Sequence, residues 1–374
     1  MIKKLLLILL LVNLTVNCFG YTWTERYANC GLGTGLNDGT SEANAWQDLQ
    51  TAFDNVAAGE RINIIDSTEC DITARIDVDT TPGTSDLPIA LEGYTSSAGD
   101  GGIAVIDCQS NAIDGLFVSE PYQIFKNIEI KNCGDDGIDI QSTGDHSHLY
   151  QVYIDNAGSN GVEIDGIGDQ CWIIGSEIGS AGDNGIDAVG RTRIFYSYIH
   201  NISDIGVQFV DSENLLINTI VNTTGEHNLV VGARTSVVNN TLYNATESGF
   251  DNIQINADNS YLINNLLNVA NDDQIEVGTG HTLWQNIHSN MYDGGAGTKS
   301  GDIIYTEGES LTNPDLNTTT FNLGSSTTID DAGYPTYFDA PSGGTTVVNH
   351  AEMGAIPYEE TATGGGEFSF GSAQ

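Results

Sequence analysis

Positive charge is what this chain has least of. Its 374 residues hold 11 Lys and Arg against 51 Asp and Glu, a formal net charge of −40. That balance excludes a nucleic-acid or anionic-membrane partner, because phosphate binding needs clustered cations. Apart from the first 20 residues no apolar run reaches membrane length, which excludes a helical membrane span. None of the 6 cysteines falls in a C-x-x-C pair, so a zinc ribbon or thiol redox motif has no support. P-loop, dinucleotide-binding, G-x-S-x-G and H-E-x-x-H motifs are missing, and the glycine of "DVDTTPGTSD" (77–86) is misplaced for an EF-hand loop. The acids are interspersed with regularly placed apolar residues, which argues against a disordered acidic tail.

Residues 1–20, "MIKKLLLILLLVNLTVNCFG", combine a basic start, a leucine-rich middle and small or polar residues at the end. This is the form of a secretory signal peptide, and it predicts a secreted or cell-surface protein. Cys18 raises lipidation, but Thr15, Val16 and Asn17 before it fit a lipidation box poorly.

The 44 glycines lead to the main feature. The motif G-x-[DN]-G-[IV]-[DE] returns every 24 residues between 134 and 190, placing Asp139, Glu163 and Asp187 at the same point of each return. The row openings continue through Gly206-Val207-Gln208-Phe209, Asn228-Leu229-Val230-Val231 and Asn252-Ile253-Gln254-Ile255. Each has apolar residues on either side of one outward position, the period-2 signature of a strand, and a second alternating segment such as "WIIGSEIG" or "RIFYSYIH" follows. Row closings fall at Asn132, Asn156, Ser180, Asn201, Asn222, Asn244 and Asn268. Rows this short, with no helix start signals, exclude helical repeats and predict an all-β parallel solenoid in which those asparagines form a buried ladder from coil to coil.

These rows resemble the single-stranded right-handed parallel β-helix proteins of the pectin-lyase-like superfamily. "NDGTSEANAWQDLQTAFDNV" (37–56) is similar to their lead-in to the first coil, "PIALEGYTSSAGDGGIAVIDC" (88–108) to their first coils, and "NPDLNTTTFNLGSSTTIDDAG" with "EMGAIPY" to their closing segment. The resemblance spans nearly all of 21–360. It implies the fold, and it leaves activity open, since the superfamily includes lyases, hydrolases, adhesins and phage spikes. The expected organisation is a signal peptide at 1–20, an N-terminal cap at 21–62, coils at 63–294, a closing segment at 295–360 and a glycine-rich tail at 361–374 that is either disordered or pairs with another molecule's edge.

An amphipathic helix over 43–58 is expected to cap the N-terminal end, with Trp46, Leu49, Phe53 and Val56 on one stripe and Gly59 as its stop. Cys30 and Cys70 could staple this cap to the first coil. Cys108 and Cys133, 25 apart in equivalent row positions, are expected to be neighbours able to form a disulfide, leaving Cys171 odd.

Three site readings compete. The acids Asp139, Glu163 and Asp187, with Asp135, Asp136 and Asp183 in the preceding turns, would stack about 4.8 Å apart. Two unit charges at that distance repel by roughly 3.5 kcal/mol at an effective dielectric of about 20. Splaying into water, pKa elevation or a bound calcium ion would each relieve this. "DDGID" (135–139) is similar to one element of polygalacturonase-like inverting hydrolases, but the next row lacks their Asp-Asp pair, and no Gly-His-Gly or Arg-Ile-Lys element follows. Asp139 and Asp187 would lie about 9.6 Å apart, at the far edge of the spacing inverting pairs use. A lyase would need a base, for which Arg191 and Arg193 are candidates. His148, Trp172 and Arg193 align row to row, as do Tyr153 and Tyr198, a pattern suited to stacking on sugar rings, although Arg191 and Arg193 could equally pair with Glu213.

Sequons at Asn201, Asn222 and Asn244 are expected to be unmodified because ladder amides are buried; Asn239 and Asn317 are better acceptors. The functional expectation is a non-enzymatic extracellular or surface scaffold binding polysaccharide or cell-surface glycan, calcium, or both. The alternative is a polysaccharide-degrading enzyme, either a hydrolase using Asp139, Glu163 and Asp187 or a calcium-dependent lyase using Arg191 or Arg193.

Overall fold

The computed structural model describes residues 21–277 apart from 167–169, 211–212, 258–259, 264 and 269–274, and beyond 277 only strands at 286–288, 291–292, 299–301, 305–307, 316–317 and 322–323. The predicted signal peptide, most of the closing segment and the tail lie outside the described residues. The chain winds into a right-handed parallel β-helix. Three-residue strands such as Ile138–Ile140, Val162–Ile164, Ile186–Ala188 and Val207–Phe209 stack into one ten-stranded parallel sheet. The second arm of every coil enters a twenty-stranded sheet, in which His148–Ala157 runs unbroken and later coils divide, as at Cys171–Ile174 and Glu177–Gly179.

The interior follows directly from the period-2 pattern. Ile138, Ile140, Ile154, Ile178, Ile186 and Ile199 all belong to one continuous buried cluster that runs along the axis. The divisions of the second arm are made by left-handed residues stacked coil upon coil. One column is Gln151, Gly175, Tyr196, Asn218 and Asn239; the next is Asn132, Asn156, Ser180, Asn201, Thr223 and Asn244, all with φ between 51° and 67°. Asparagine populates this region at little cost, and that is why it recurs there.

This corrects the predicted ladder in two ways. Asn132, Asn156, Asn201 and Asn244 stack, but at an outer corner: Asn156 and Asn201 are exposed, and the other two are half-buried. Asn156 donates to Asn132 at 2.9 Å and Asn132 to Asp107 at 3.1 Å, so hydrogen bonds run along this corner. Asn222 and Asn268 are one residue out of that column. His200 pairs with Asn222 and Tyr243 with Asn268, so Thr223 takes the left-handed position. The burial reason for expecting no glycan on Asn201, Asn222 and Asn244 therefore fails.

The buried ladders lie elsewhere. Ser176, Ser197, Thr219, Asn240 and Asn265 face inward just after the first left-handed corner, each accepting the backbone N–H of the coil before it, as Asn240 Oδ1 does from Thr219 at 2.9 Å. A second ladder uses the [DN] of the repeat itself. Asp114, Asp136, Asn160 and Asn184 accept from the backbone N–H of residues 136, 160, 184 and 205. These bonds satisfy turn amides that the sheets leave unpaired.

The cap is shorter than expected. Its helix is Leu49–Asn55, started by Asp48, whose carboxylate accepts the Thr51 N–H at 2.7 Å, and it buries Leu49, Ala52 and Phe53. Trp46 lies outside it in a parallel bridge to Ala28. Thr24–Ala28 already pairs in parallel with Glu60–Ile65, so the cap region contributes a strand to the solenoid. Disulfides join Cys30 to Cys70 and Cys108 to Cys133, with Cα atoms 5.2 and 4.8 Å apart, and Cys171 is free and buried.

The two kinds of column differ in consequence. Asn240→Ala strands the Thr219 N–H and the Leu216 carbonyl in the interior and should cost roughly 3 kcal/mol. Asn244→Ala at the half-buried corner strands no buried group and should cost about 1 kcal/mol, the penalty of alanine in a left-handed conformation. Denaturant unfolding of the two variants checks this, and equal losses would refute the assignment of the ladders.

Candidate functional site

The repeat places its acids in one column, because strand pairing leaves no freedom in register. Asp139 pairs with Glu163 and Glu163 with Asp187; Phe117 precedes the column and Gln208 follows it. The column does not splay into water. Asp139 is only 9 % exposed, and Glu163 and Asp187 are half-buried. Two other devices relieve the repulsion.

The first is a row of amide donors. Gln141 Nε2 donates to both oxygens of Asp139, at 2.7 and 2.8 Å, and reaches Asp165 at 3.4 Å. Asn160 donates to Glu163 at 3.3 Å, and Gln208 to Asp187 at 3.3 Å. The second is protonation. Glu163 shares a hydrogen bond with the Asp136 carboxyl; this, then burial, and then the charges of Asp136, Asp165 and Asp139, push its pKa up to about 8. Burial lifts Asp139 to about 6, assisted by the charges of Asp114, Asp136 and Asp165 and opposed by Gln141. Burial also raises Asp187. At neutral pH the column thus holds a protonated Glu163 beside an ionised Asp139.

Immediately before the column, the turns bring Asp114, Asp135 and Asp136 together, with one oxygen of each within 4.8 Å of the others. Asp114 was missed in the sequence reading. Its signal was present, since Asp114-Gly115 occupies the row position of Asp136-Gly137, but "NAIDGLF" lacks the rest of the motif. Asp183 does not join this group; it hydrogen-bonds with Asp204 instead. The ladder engages one oxygen each of Asp114 and Asp136; the other Asp114 oxygen lies 3.5 Å from the Arg75 guanidinium, and the Asp136 carboxyl also meets Glu163, so a divalent cation here would compete with both. A second group, Glu69, Asp71 and Asp107, is served by the Lys131 ammonium, 2.9 Å from Glu69 and 3.6 Å from Asp107.

The two arginines do not join the acids. Arg191 lies at the corner between the sheets and bonds Glu213 at 3.0 Å. Arg193 lies on the other sheet, its guanidinium carbon 5.6 Å from the centre of the Trp172 ring. His148, Trp172 and Arg193 do pair in successive strands. His148 packs against Trp172 with ring centres 5.3 Å apart, and burial together with the nearby His146 lowers its pKa to about 4, so it is neutral. Tyr153 and Tyr198 occupy one column with Glu177 between them, and Tyr198 stacks on His200 at 4.2 Å. His200 in turn bonds Glu177 at 3.0 Å.

The parallel β-helix fold is shared with solved structures of other proteins. It matches pectate lyase Pel9A with a TM-score of 0.65 and 17% sequence identity, covering 91% of this chain and 98% of that one. It also matches an alginate lyase from Paenibacillus sp. str. FPU-7 with a TM-score of 0.53 and 13% identity, covering 75% of this chain and 99% of that one. The complex of XylC with xylose matches with a TM-score of 0.52 and 9% identity over 78% and 87% of the two chains. No protein-family model and no curated protein matches the chain.

The raised pKa of Glu163 has a direct effect on stability. The unfolded chain gives up this proton near pH 4.3, whereas the folded chain holds it to about 8. Folding stability from this group is therefore intact below about pH 4.3 and declines as pH rises through that window. Glu163→Gln should melt progressively higher than the parent between pH 5 and pH 8. A constant difference in Tm across that range would show that Glu163 ionises normally.

Proposed function

We propose that this chain is an exported, secreted or surface-held enzyme that cleaves a polysaccharide on the outer face of the ten-stranded sheet. The carrying observation is the Glu163 carboxyl, which shares a hydrogen bond with Asp136, pairs with Asp139 of the adjacent coil and is held protonated to about pH 8. A glycosidic oxygen needs a proton as it leaves, and a neighbouring carboxylate can attack the anomeric carbon, to be displaced by water in a second step, or take a proton from the sugar ring in an elimination. Glu163 is the donor in this reading and Asp139 its ionised partner. Adjacent coils separate them by about 4.8 Å, near the spacing of about 5 Å used by retaining carboxylate pairs. The lyase names of two structural neighbours support an enzyme over the scaffold that composition suggested.

Calcium at Asp114, Asp135 and Asp136 would supply positive charge to a face that otherwise repels an acidic chain. The protein's own residues hold that position by ladder bonds from backbone amides. Arg191 is tied to Glu213 and Arg193 faces away, so neither serves as base in this reading.

The deciding experiment is incubation of the chain with neutral and acidic polysaccharides, with calcium or with chelator, read by size-exclusion chromatography and ultraviolet absorbance. Shortened chains are expected. New reducing ends without absorbance assign hydrolysis, absorbing unsaturated ends assign elimination, and intact chains throughout would end the enzyme reading. Glu163→Gln should lower the rate by about 100-fold or more. The rate should fall below pH 6 as Asp139 gains a proton and above pH 8 as Glu163 loses one.

The metal assignment has its own check. Calcium should raise the Tm of the parent and leave that of Asp136→Asn unchanged, because binding to the folded state alone stabilises it. An equal rise in both would move the ion elsewhere.

A further inference from the structure

The twenty-stranded sheet carries a second surface that the cleavage reading does not use. His148, Trp172, Arg193 and Leu215 occupy successive coils of one outward column, with the exposed Tyr196 on the corner beside it. We propose that this strip is a separate binding platform for an acidic polysaccharide. Its sugar rings would lie on the aromatic column, and a uronate carboxylate would pair with Arg193.

Charge complementarity commits the strip to that occupant. Arg26, Arg61, Arg75, Lys126, Lys131, Arg191 and Arg234 each have a carboxylate within 3.6 Å. Among the described residues Arg193 is the basic side chain whose contact is instead an indole ring. In a chain of net charge −40, a guanidinium kept away from acids is unusual. With no protein carboxylate on it among the described residues, its N–H donors suit a bidentate partner such as a carboxylate. His148 is neutral, so the positive charge of the strip is that of Arg193 alone.

The geometry suits a long polymer. Half-buried Trp172, half-buried Phe195 and Tyr196 at 47 % exposure offer apolar surface beside the cation, and ring faces of this kind stack on pyranoses. Adjacent coils stand about 4.8 Å apart, so an extended chain lying parallel to the axis meets His148, Trp172, Arg193 and Leu215 in turn. A surface of this kind would retain substrate against the overall repulsion of the molecule, and screening by salt should weaken it.

The test is retention of polygalacturonate and of a neutral β-glucan in native affinity gels, with chelator present, using the full chain in a Glu163→Gln background. Polygalacturonate should be retained and the glucan not. Adding Arg193→Gln should weaken retention about tenfold, Arg193→Lys should restore part of it, and Trp172→Ala should weaken it while the folded β-sheet circular dichroism persists. Retention unaffected by Arg193→Gln, absent from the parent, or equal for the neutral glucan would overturn the platform. Continued cleavage by Glu163→Gln would sink only the assignment of the acid and leave the binding result standing.

Discussion

Parallel stacking of coils at a fixed backbone spacing is the constraint on which the rest of this structure depends. Every side chain has the equivalent residue of the next coil as its nearest neighbour, so whatever one row places at a position is multiplied along the axis. Isoleucine at the inward positions becomes a continuous core. Asparagine at the corners becomes a column of left-handed turns. Acid at an outward position becomes a column of carboxylates that cannot move apart without breaking the strand pairing that aligned them.

That confinement makes the acidic face chemically different from an ordinary acidic surface. Free carboxylates on a flexible loop would separate into water and titrate normally. Here Asp139, Glu163 and Asp187 are held between amide donors and the carboxylates of the preceding turns, and the repulsion appears as retained protons. The same ladder bonds that close the turns hold Asp114 and Asp136 close to Asp135, with one oxygen of each within 4.8 Å of the others. Structural satisfaction of backbone amides and clustering of the carboxyl groups are achieved by the same residues.

The two outer faces carry different columns. The ten-stranded sheet stacks Asp139, Glu163 and Asp187, while the twenty-stranded sheet stacks His148, Trp172 and an arginine without a carboxylate partner among the described residues. Between them lies a shallow corner lined by Gln141, Asp145, Cys171 and Arg191. Arg191 and Glu213 pair at that corner, so Arg191 is neutralised where the two surfaces meet.

The fold was legible in the sequence because a solenoid is a local rule repeated: period-2 strands, a turn and a fixed row length determine parallel coils, their register and the alignment of Asp139 with Glu163 and of Trp172 with Arg193. The helix in the cap was legible too, though Trp46 lay outside it because its backbone pairs with Ala28. Tertiary structure decided what row alignment cannot express. It set which polar column faces inward, since Asn240 and Asn244 read alike in sequence and differ by the direction of one left-handed corner. A single-residue drift put Thr223 rather than Asn222 on that corner. It brought Asp114 to Asp135 and Asp136, fixed how deeply the acids sit, and gave Glu163 its proton. The sequence determined which residues are neighbours along the axis; burial and charge in three dimensions determined their protonation and chemistry, because desolvation depends on everything packed around a group and not on its own row.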